Sequence, residues 1–345
     1  GGATPSPYIL NQTFSMIQGG HNGRPVQGFS SRLVTNPDLR PLTSTTFEAG
    51  LDVQLLNNRL GLDFTVYNRK TTDDIVRTTI PNTSGYTQAL LNVGEVSNKG
   101  IEFLISGKPI KSQNFSWDVS YNFAYNRSEI VKLAEGLTEV TVGTGVAGGV
   151  IQNRVGKPFG MVRGFLHLKN ASGQTVFNTV SNLQVVSPLT DLGVGVPPYT
   201  MGLTNNFGYK NLSLSVLLDG KFGNTIWSNT NWYASRFGLP KSTLPGRESG
   251  LPLSGVTESG APYSYTVPVV QIDNYYNSQQ SYTGLFAYDG SFVKLRQVIL
   301  GYRLPISKVG ALKFQSATIS AVARNLFILY SKTENFDPES SNTSD

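Results

Sequence analysis

"NFSWDVSYNFAYN" (residues 114–126) sets Phe115, Trp117, Val119, Tyr121, Phe123 and Tyr125 on one side of an extended chain. Ser116, Asp118, Ser120, Asn122, Ala124 and Asn126 fall on the other. A period of two is that of a strand and not of a helix. One wall is aromatic and the other is small and polar with a single carboxylate. Ten steps from Phe115 to Tyr125 extend about 33 Å at ~3.3 Å per residue, and a tilt of ~40° brings this to about 25 Å, the height of the apolar band of a membrane-spanning barrel. Trp117 and Tyr125 then lie near the two edges of that band, where amphipathic aromatics collect. The stretch reads as a strand with its aromatic wall on lipid and its polar wall on a wet lumen.

The pattern recurs outward from this stretch. Phe47, Ala49, Leu51, Val53 and Leu55 alternate with Glu48, Gly50, Asp52 and Gln54. Leu60, Leu62, Phe64 and Val66 alternate with Gly61, Asp63, Thr65 and Tyr67. Ile101, Phe103 and Ile105 alternate with Glu102, Leu104 and Ser106, and Leu212, Leu214, Val216 and Leu218 alternate with Asn211, Ser213, Ser215 and Asp219. Weaker alternation covers 199–208, 291–303 and 312–330, where the parity slips after Phe314 as if a bulge intervened. Eight candidate strands result, with no convincing amphipathic helix, so the fold class is all-β.

The connections alternate in length: 57–58, 68–95, 108–113, 127–198, 209–210, 222–290 and 304–311. Connections as long as 127–198 and 222–290 are rare in compact soluble domains. They suit a transmembrane antiparallel β-barrel with short periplasmic turns and long extracellular loops. A soluble β-sandwich with one buried face would also alternate. Its exposed face, however, would carry more Lys and Glu than the Ser, Thr, Asn and Asp found here. Counted from the short turns, residues 1–44 and 331–345 both fall on the long-loop side. Barrel termini ordinarily belong with the short turns, so further strands are expected before residue 45 and after residue 330.

Composition supports this reading. Of 345 residues only 14% are charged, against ~25% in ordinary soluble domains, while 11% are aromatic and 36 are glycine. No apolar run reaches the ~18 residues of a transmembrane helix. The chain has no cysteine, which fits an extracytoplasmic protein without requiring one. The net charge of +6 comes from scattered Lys and Arg, so no nucleic-acid footprint is expected. No signal peptide opens the chain, which is compatible with a cytosolic, processed or excised sequence.

Five blocks carry a family resemblance. They are "NPDLRPLTSTTFEAGLDVQLLNNRLGLDFTVYNRKTTDDIV" (36–76), "GYTQALLNVGEVSNKGIEFLISGKPI" (85–110), "FVKLRQVILGYRLP" (292–305), "ARNLFILY" (323–330) and "NFDPE" (335–339). In content, order and spacing they resemble the C-terminal barrel of the SusC/RagA family of TonB-dependent outer-membrane transporters. The resemblance implies the C-terminal part of a 22-stranded barrel in the outer membrane of a Gram-negative bacterium. It also implies an N-terminal plug, a coupling to TonB through that N-terminal region, and a SusD-like surface lipoprotein as partner. Family substrates are oligosaccharides or oligopeptides. The plug, the TonB box and a final strand do not occur in this chain.

Candidate sites follow from the faces and the loops. Asp52, Asp63, Glu102, Asp118 and Asp219 are expected to face the lumen or plug, since a carboxylate on lipid is costly. Loops 127–198 and 222–290 are expected to form an extracellular rim. Trp232, Tyr233, Tyr275 and Tyr276 are the candidates there for ligand or lid contact, because aromatic faces with Asn and Gln neighbours suit sugar rings and peptide backbones. The other reading is that they pack a long loop upon itself.

Catalytic and cofactor signals are weak. Gly143-x-Gly145-x-x-Gly148 in "VGTGVAGGV" has dinucleotide spacing, but neither an opening helix nor a following acidic residue accompanies it. It reads as a flexible Gly-rich loop. His21 and His167 lack a Cys or carboxylate cluster, so no zinc site is expected, and no enzyme motif occurs. Asp73–Asp74 and Asp337–Glu339 read as solvated loop charges rather than calcium ligands. The function expected is nutrient import without covalent chemistry. The alternatives are a non-energised barrel for adhesion or passive diffusion, and a soluble carbohydrate-binding β-module.

Overall fold

The alternating segments form eight long antiparallel strands in a computed structural model of the protein, which describes residues 2–3, 11, 14–17, 22, 24, 26–29, 32–80, 83, 85–305 and 316–340. Numbered in chain order, they are β1 (Leu42–Leu55), β2 (Leu60–Thr79), β3 (Gln88–Lys111) and β4 (Phe115–Lys132). These are followed by β5 (Tyr199–Tyr209), β6 (Leu212–Phe222), β7 (Phe292–Leu304) and β8 (Ala317–Ser331). Each pairs with its sequence neighbour in one open sheet, as hairpin connectivity dictates. Two-residue strands add to it at Gly2–Ala3, beside β1, and at Leu33–Val34, parallel to the start of β3. Among the described residues, β8 has no neighbour on its outer side.

Register fixes the faces. Leu51 lies opposite Phe64, Phe64 opposite Phe103, Phe103 opposite Phe123 and Phe123 opposite Met201. This apolar face continues through Leu203, Leu218 and Leu295 to Phe327. Its large side chains are not covered by the chain itself: Phe47 is 77% exposed, Ile319 65% and Phe327 63%. An uncovered apolar surface across eight strands is what lipid would cover and water would not. Aromatic pairs border it at both ends, with Tyr125 on Tyr199 (4.9 Å between centroids) towards the long connections and Trp117 on Phe207 (5.9 Å) towards the short turns. Asn205 is a polar residue on this face, and its Oδ1 accepts from Trp117 Nε1 at 3.1 Å.

The short-turn end is held by local chemistry. Leu56, Asn57 and Asn58 all take positive φ between β1 and β2, a conformation Asn adopts more readily than most residues. Arg59 then reaches across to donate to the Lys108 and Pro109 carbonyls near the end of β3.

Several expected boundaries change. The 68–95 connection shrinks to 80–87, because β2 runs on to Thr79 and β3 begins at Gln88. The 24 residues of β3 extend about 80 Å at ~3.3 Å each, far beyond an apolar band. Beyond that band "NRKTT" (68–72) is polar throughout and gives no alternation. Ion pairs replace apolar contact there: Lys70 to Glu95 at 2.7 Å and Arg40 to Asp73 at 3.0 Å. The expected parity slip after Phe314 lies outside the described residues. The register shift observed instead opposes Leu295 to Phe327 and Gln297 to Arg324, with Asn325 at φ 52° between.

The two longest connections are not unstructured. In the first, Glu139–Thr144, Val150–Arg154, Met161–Gly164 and Thr190–Val194 form a four-stranded sheet. In the second, Leu251–Thr257 pairs with Pro262–Val267, and two short helices occur: α1 (Asn229–Arg236) and α2 (Ile272–Ser278). Ser228 caps α1, its side chain accepting from the Asn231 N–H. Helices of two turns that are rich in Asn and Tyr show little periodicity, which is why the sequence hides them.

Candidate functional site

The polar face of the sheet is the first element of the site. Asp52 lies opposite Asp63, Asp63 opposite Leu104, Leu104 opposite Asn122, Asn122 opposite Gly202 and Gly202 opposite Asp219. Glu102 is two residues from Leu104 and Asp118 four from Asn122, so all five carboxylates singled out in the sequence share one face. Tyr67 also lies there. Its ring crosses Gly100, where an added Cβ would come within 2.3 Å of the ring, and its hydroxyl donates to Asn126 Oδ1 at 3.2 Å. Gly100 is therefore a glycine for close approach, not for flexibility.

Of the five carboxylates, Asp219 has a defined electrostatic role. Arg296 places Nη2 2.7 Å from Asp219 Oδ2 and Nε 2.9 Å from Oδ1, a two-pronged contact. From its other side Glu339 meets Arg296 Nη1 and Nη2 at 2.8 Å each. Lys294, only 3% exposed, contacts Asp337 at 2.6 Å and Glu339 at 2.8 Å. The hydrogen bonds from Arg296 hold the Glu339 carboxyl far down, at about 2. Asp337 and Glu339 are thus not the solvated loop charges expected from sequence. They tie the segment after β8 to the polar face, and the partners lie 43 and 45 residues away, beyond any local motif. Among the described residues no cluster of metal ligands occurs.

The second element is a layer built from both long connections. Its attachment is to the polar face: Val96 of β3 and Ile130 of β4, which belong to that face, are buried with Leu133 and Val140, and Val142 and Phe159 pack on them. The Phe159 N–H donates to Ser128 Oγ at 3.1 Å. The two connections also interlock with each other. Val176–Phe177 pairs in parallel with Val256–Thr257, and Tyr263 Oη donates to Asn182 Oδ1 at 2.6 Å. His167 Nε2 lies 2.9 Å from Gln279 Oε1, and burial keeps this imidazole below its ordinary pKa and therefore neutral. His21 lies outside the described residues.

The aromatic candidates divide within this layer. Tyr275 packs with Val267 and Ile272 and accepts from Gln184 Nε2 at 2.8 Å. Its ring is largely buried in this cluster, which favours packing over ligand contact. Trp232 donates its indole N–H to the Gln280 carbonyl at 3.0 Å, and Tyr276 its hydroxyl to the Pro245 carbonyl at 3.0 Å. Tyr233 stands edge-on to Trp232 and is half exposed. The Gly-rich stretch is also reassigned. Gly145 and Gly149 lie on the indole of Trp227, where added Cβ atoms would stand 2.1 and 2.6 Å from ring carbons. The glycines make an ordered cradle, a long-range requirement that a lone motif could not disclose.

A sheet with one uncovered apolar face, aromatic borders and a polar face that carries a loop layer at one end defines part of a transmembrane-type β-barrel. The chain belongs to the family described as TonB dependent receptor-like, beta-barrel, which it matches over residues 1–326. That is a family of receptors and transporters, not of enzymes. A TonB-dependent receptor of Formosa agariphila is 27% identical over the whole chain and 35% of its own length. The TonB-dependent receptor SusC of Bacteroides thetaiotaomicron is 26% identical over 96% of this chain and 33% of its own. The chain thus spans about a third of these relatives. A structure of the RagAB peptide importer in its closed–closed state shares the fold, with a TM-score of 0.70 and 22% identity over 95% of this chain and 36% of the other.

Proposed function

We propose that this chain supplies the C-terminal strands and outer loops of a TonB-dependent importer in the outer membrane of a Gram-negative bacterium. The carrying observation is the two-faced sheet, apolar and uncovered on one side, polar on the other, with the loop layer seated at the long-connection end of the polar face. In this reading the carboxylate face lines the passage and the loop layer forms the extracellular rim. The cargo is an oligosaccharide or oligopeptide, the two classes the family resemblance implies, and peptide is the cargo named for the RagAB importer. A SusD-like lipoprotein sits on the rim, and TonB couples through the N-terminal region of the full-length protein. A soluble carbohydrate-binding module is disfavoured by Phe47, Ile319 and Phe327, which would stand bare in water.

The test is uptake by cells carrying the full-length transporter. Growth on the cargo should require both the transporter and TonB, and the protein should leave the membrane fraction only with detergent. Uptake that persists without TonB would support a passive barrel instead.

A further inference from the structure

Between the four-stranded sheet and Trp227 lies a half-open cavity of about 420 Å³. Val142, Ile151, Phe159, Val196 and Trp227 form its apolar walls, and among the described residues no charged side chain lines it. Thr144, Thr225 and Asn229 are its polar side chains. Val142 and Phe159 also belong to the cluster that seats the layer on the polar face, so the cavity stands on the carboxylate side of the sheet and away from the lipid-type face. Trp227 is buried, and its Nε1–H has no acceptor among the described residues.

We propose that this cavity is a subsite for one large apolar side chain, aromatic or branched aliphatic, of an oligopeptide cargo. The inference rests on the import reading and narrows its cargo class. A sugar ring brings several hydroxyls, each needing a partner once desolvated, and three polar side chains are too few. An anionic group would find no cation in the lining. An apolar side chain needs only displacement of water from a pocket of ligand-binding size. A protein partner needs a broad surface of roughly 1,000 Å² or more, which a cavity of this kind does not supply.

The probes are synthetic Gly/Ser peptides carrying one Phe, one Leu or one further Ser, together with a malto-oligosaccharide. Each is titrated into the detergent-purified full-length transporter. The Phe and Leu peptides should bind on the order of tenfold to a hundredfold more tightly than the Ser peptide. Val196 stands half exposed at the mouth, so Val196→Trp should close the cavity with the fold intact and bring all three peptides to one affinity. Val180→Trp, at an exposed position outside the cavity lining, should keep the preference. Equal binding of the three peptides by the wild type, or a preference that survives Val196→Trp, overturns the subsite. So does an effect of Val196→Trp confined to lipoprotein association. Binding and uptake of the oligosaccharide alone overturns the subsite and leaves the import reading standing. Absence of uptake for both classes defeats the import reading itself.

Discussion

Lys294 is almost wholly withdrawn from solvent, and a lone ammonium there would carry a desolvation penalty of several kcal/mol. Asp337 and Glu339 offset it by folding back over β7, while Arg296 bridges Glu339 and Asp219 of β6. Lys294→Met should release the 332–340 segment. The expected loss is about 1–3 kcal/mol, discounted because the carboxylates are partly exposed. Protease cleavage after β8 would report it. The pH dependence has a definite sign. Glu339 is held at about 2 in the folded chain against an ordinary 4.5, so its contribution is complete above 4.5 and disappears as the pH falls towards 2. Segment release should follow that window in the wild type and be much weaker in Glu339→Gln. The Gly145 cradle gives a second test at this scale. Gly145→Ala would set a methyl carbon 2.1 Å from Trp227 Cζ3, and the indole must move. A red shift of Trp fluorescence and a loss of about 1–3 kcal/mol from the loop layer are expected.

At the scale of elements, the two faces of β2 and β4 make opposite demands. Phe64→Arg or Phe123→Arg should impair membrane assembly by ~2–4 kcal/mol if these residues lie near the bilayer midplane. Thr65→Arg and Asn122→Arg, on the polar face, should assemble normally. Assembly yield and heat-modifiable migration distinguish the two sets, and equal defects would refute the assigned faces. The same contrast explains what the sequence disclosed. Strands β1 to β6 are legible where one face is apolar, as from Phe115 to Tyr125, since alternation records the difference between two media. The extension 68–72 is not legible as a strand because it is polar throughout, and 88–95 is not legible because Leu90 is buried by contacts that only the fold makes. Helices α1 and α2 are held by tertiary contacts, such as the Trp232 indole on the Gln280 carbonyl, rather than by their own periodicity. The five carboxylates could be assigned to one face by parity alone. Burial of Tyr275, the Trp227 cradle and the Lys294 network join residues far apart in sequence, and only the folded chain brings them together.

At the scale of the whole molecule, the two long connections behave as one object. Phe177 stacks on Tyr263 at 5.0 Å, Gln184 bonds Tyr275, and Thr283 Oγ1 accepts from the Phe165 N–H at 2.9 Å. Each of these contacts joins the first connection to the second. The strands beneath depend far less on them, because their ladder hydrogen bonds run between neighbouring strands. Deleting 228–284 from the full-length transporter should therefore leave a barrel in the membrane with its usual heat-modifiable migration. It should also unseat the rest of the layer, since Phe177, Gln184 and Phe165 lose their partners together. Residues 160–195, untouched by the deletion, are expected to become sensitive to protease added outside the cell, and uptake should be abolished. If those residues stay resistant, the layer is two independent loops. If uptake and lipoprotein association persist unchanged, the working surface lies elsewhere than in this layer.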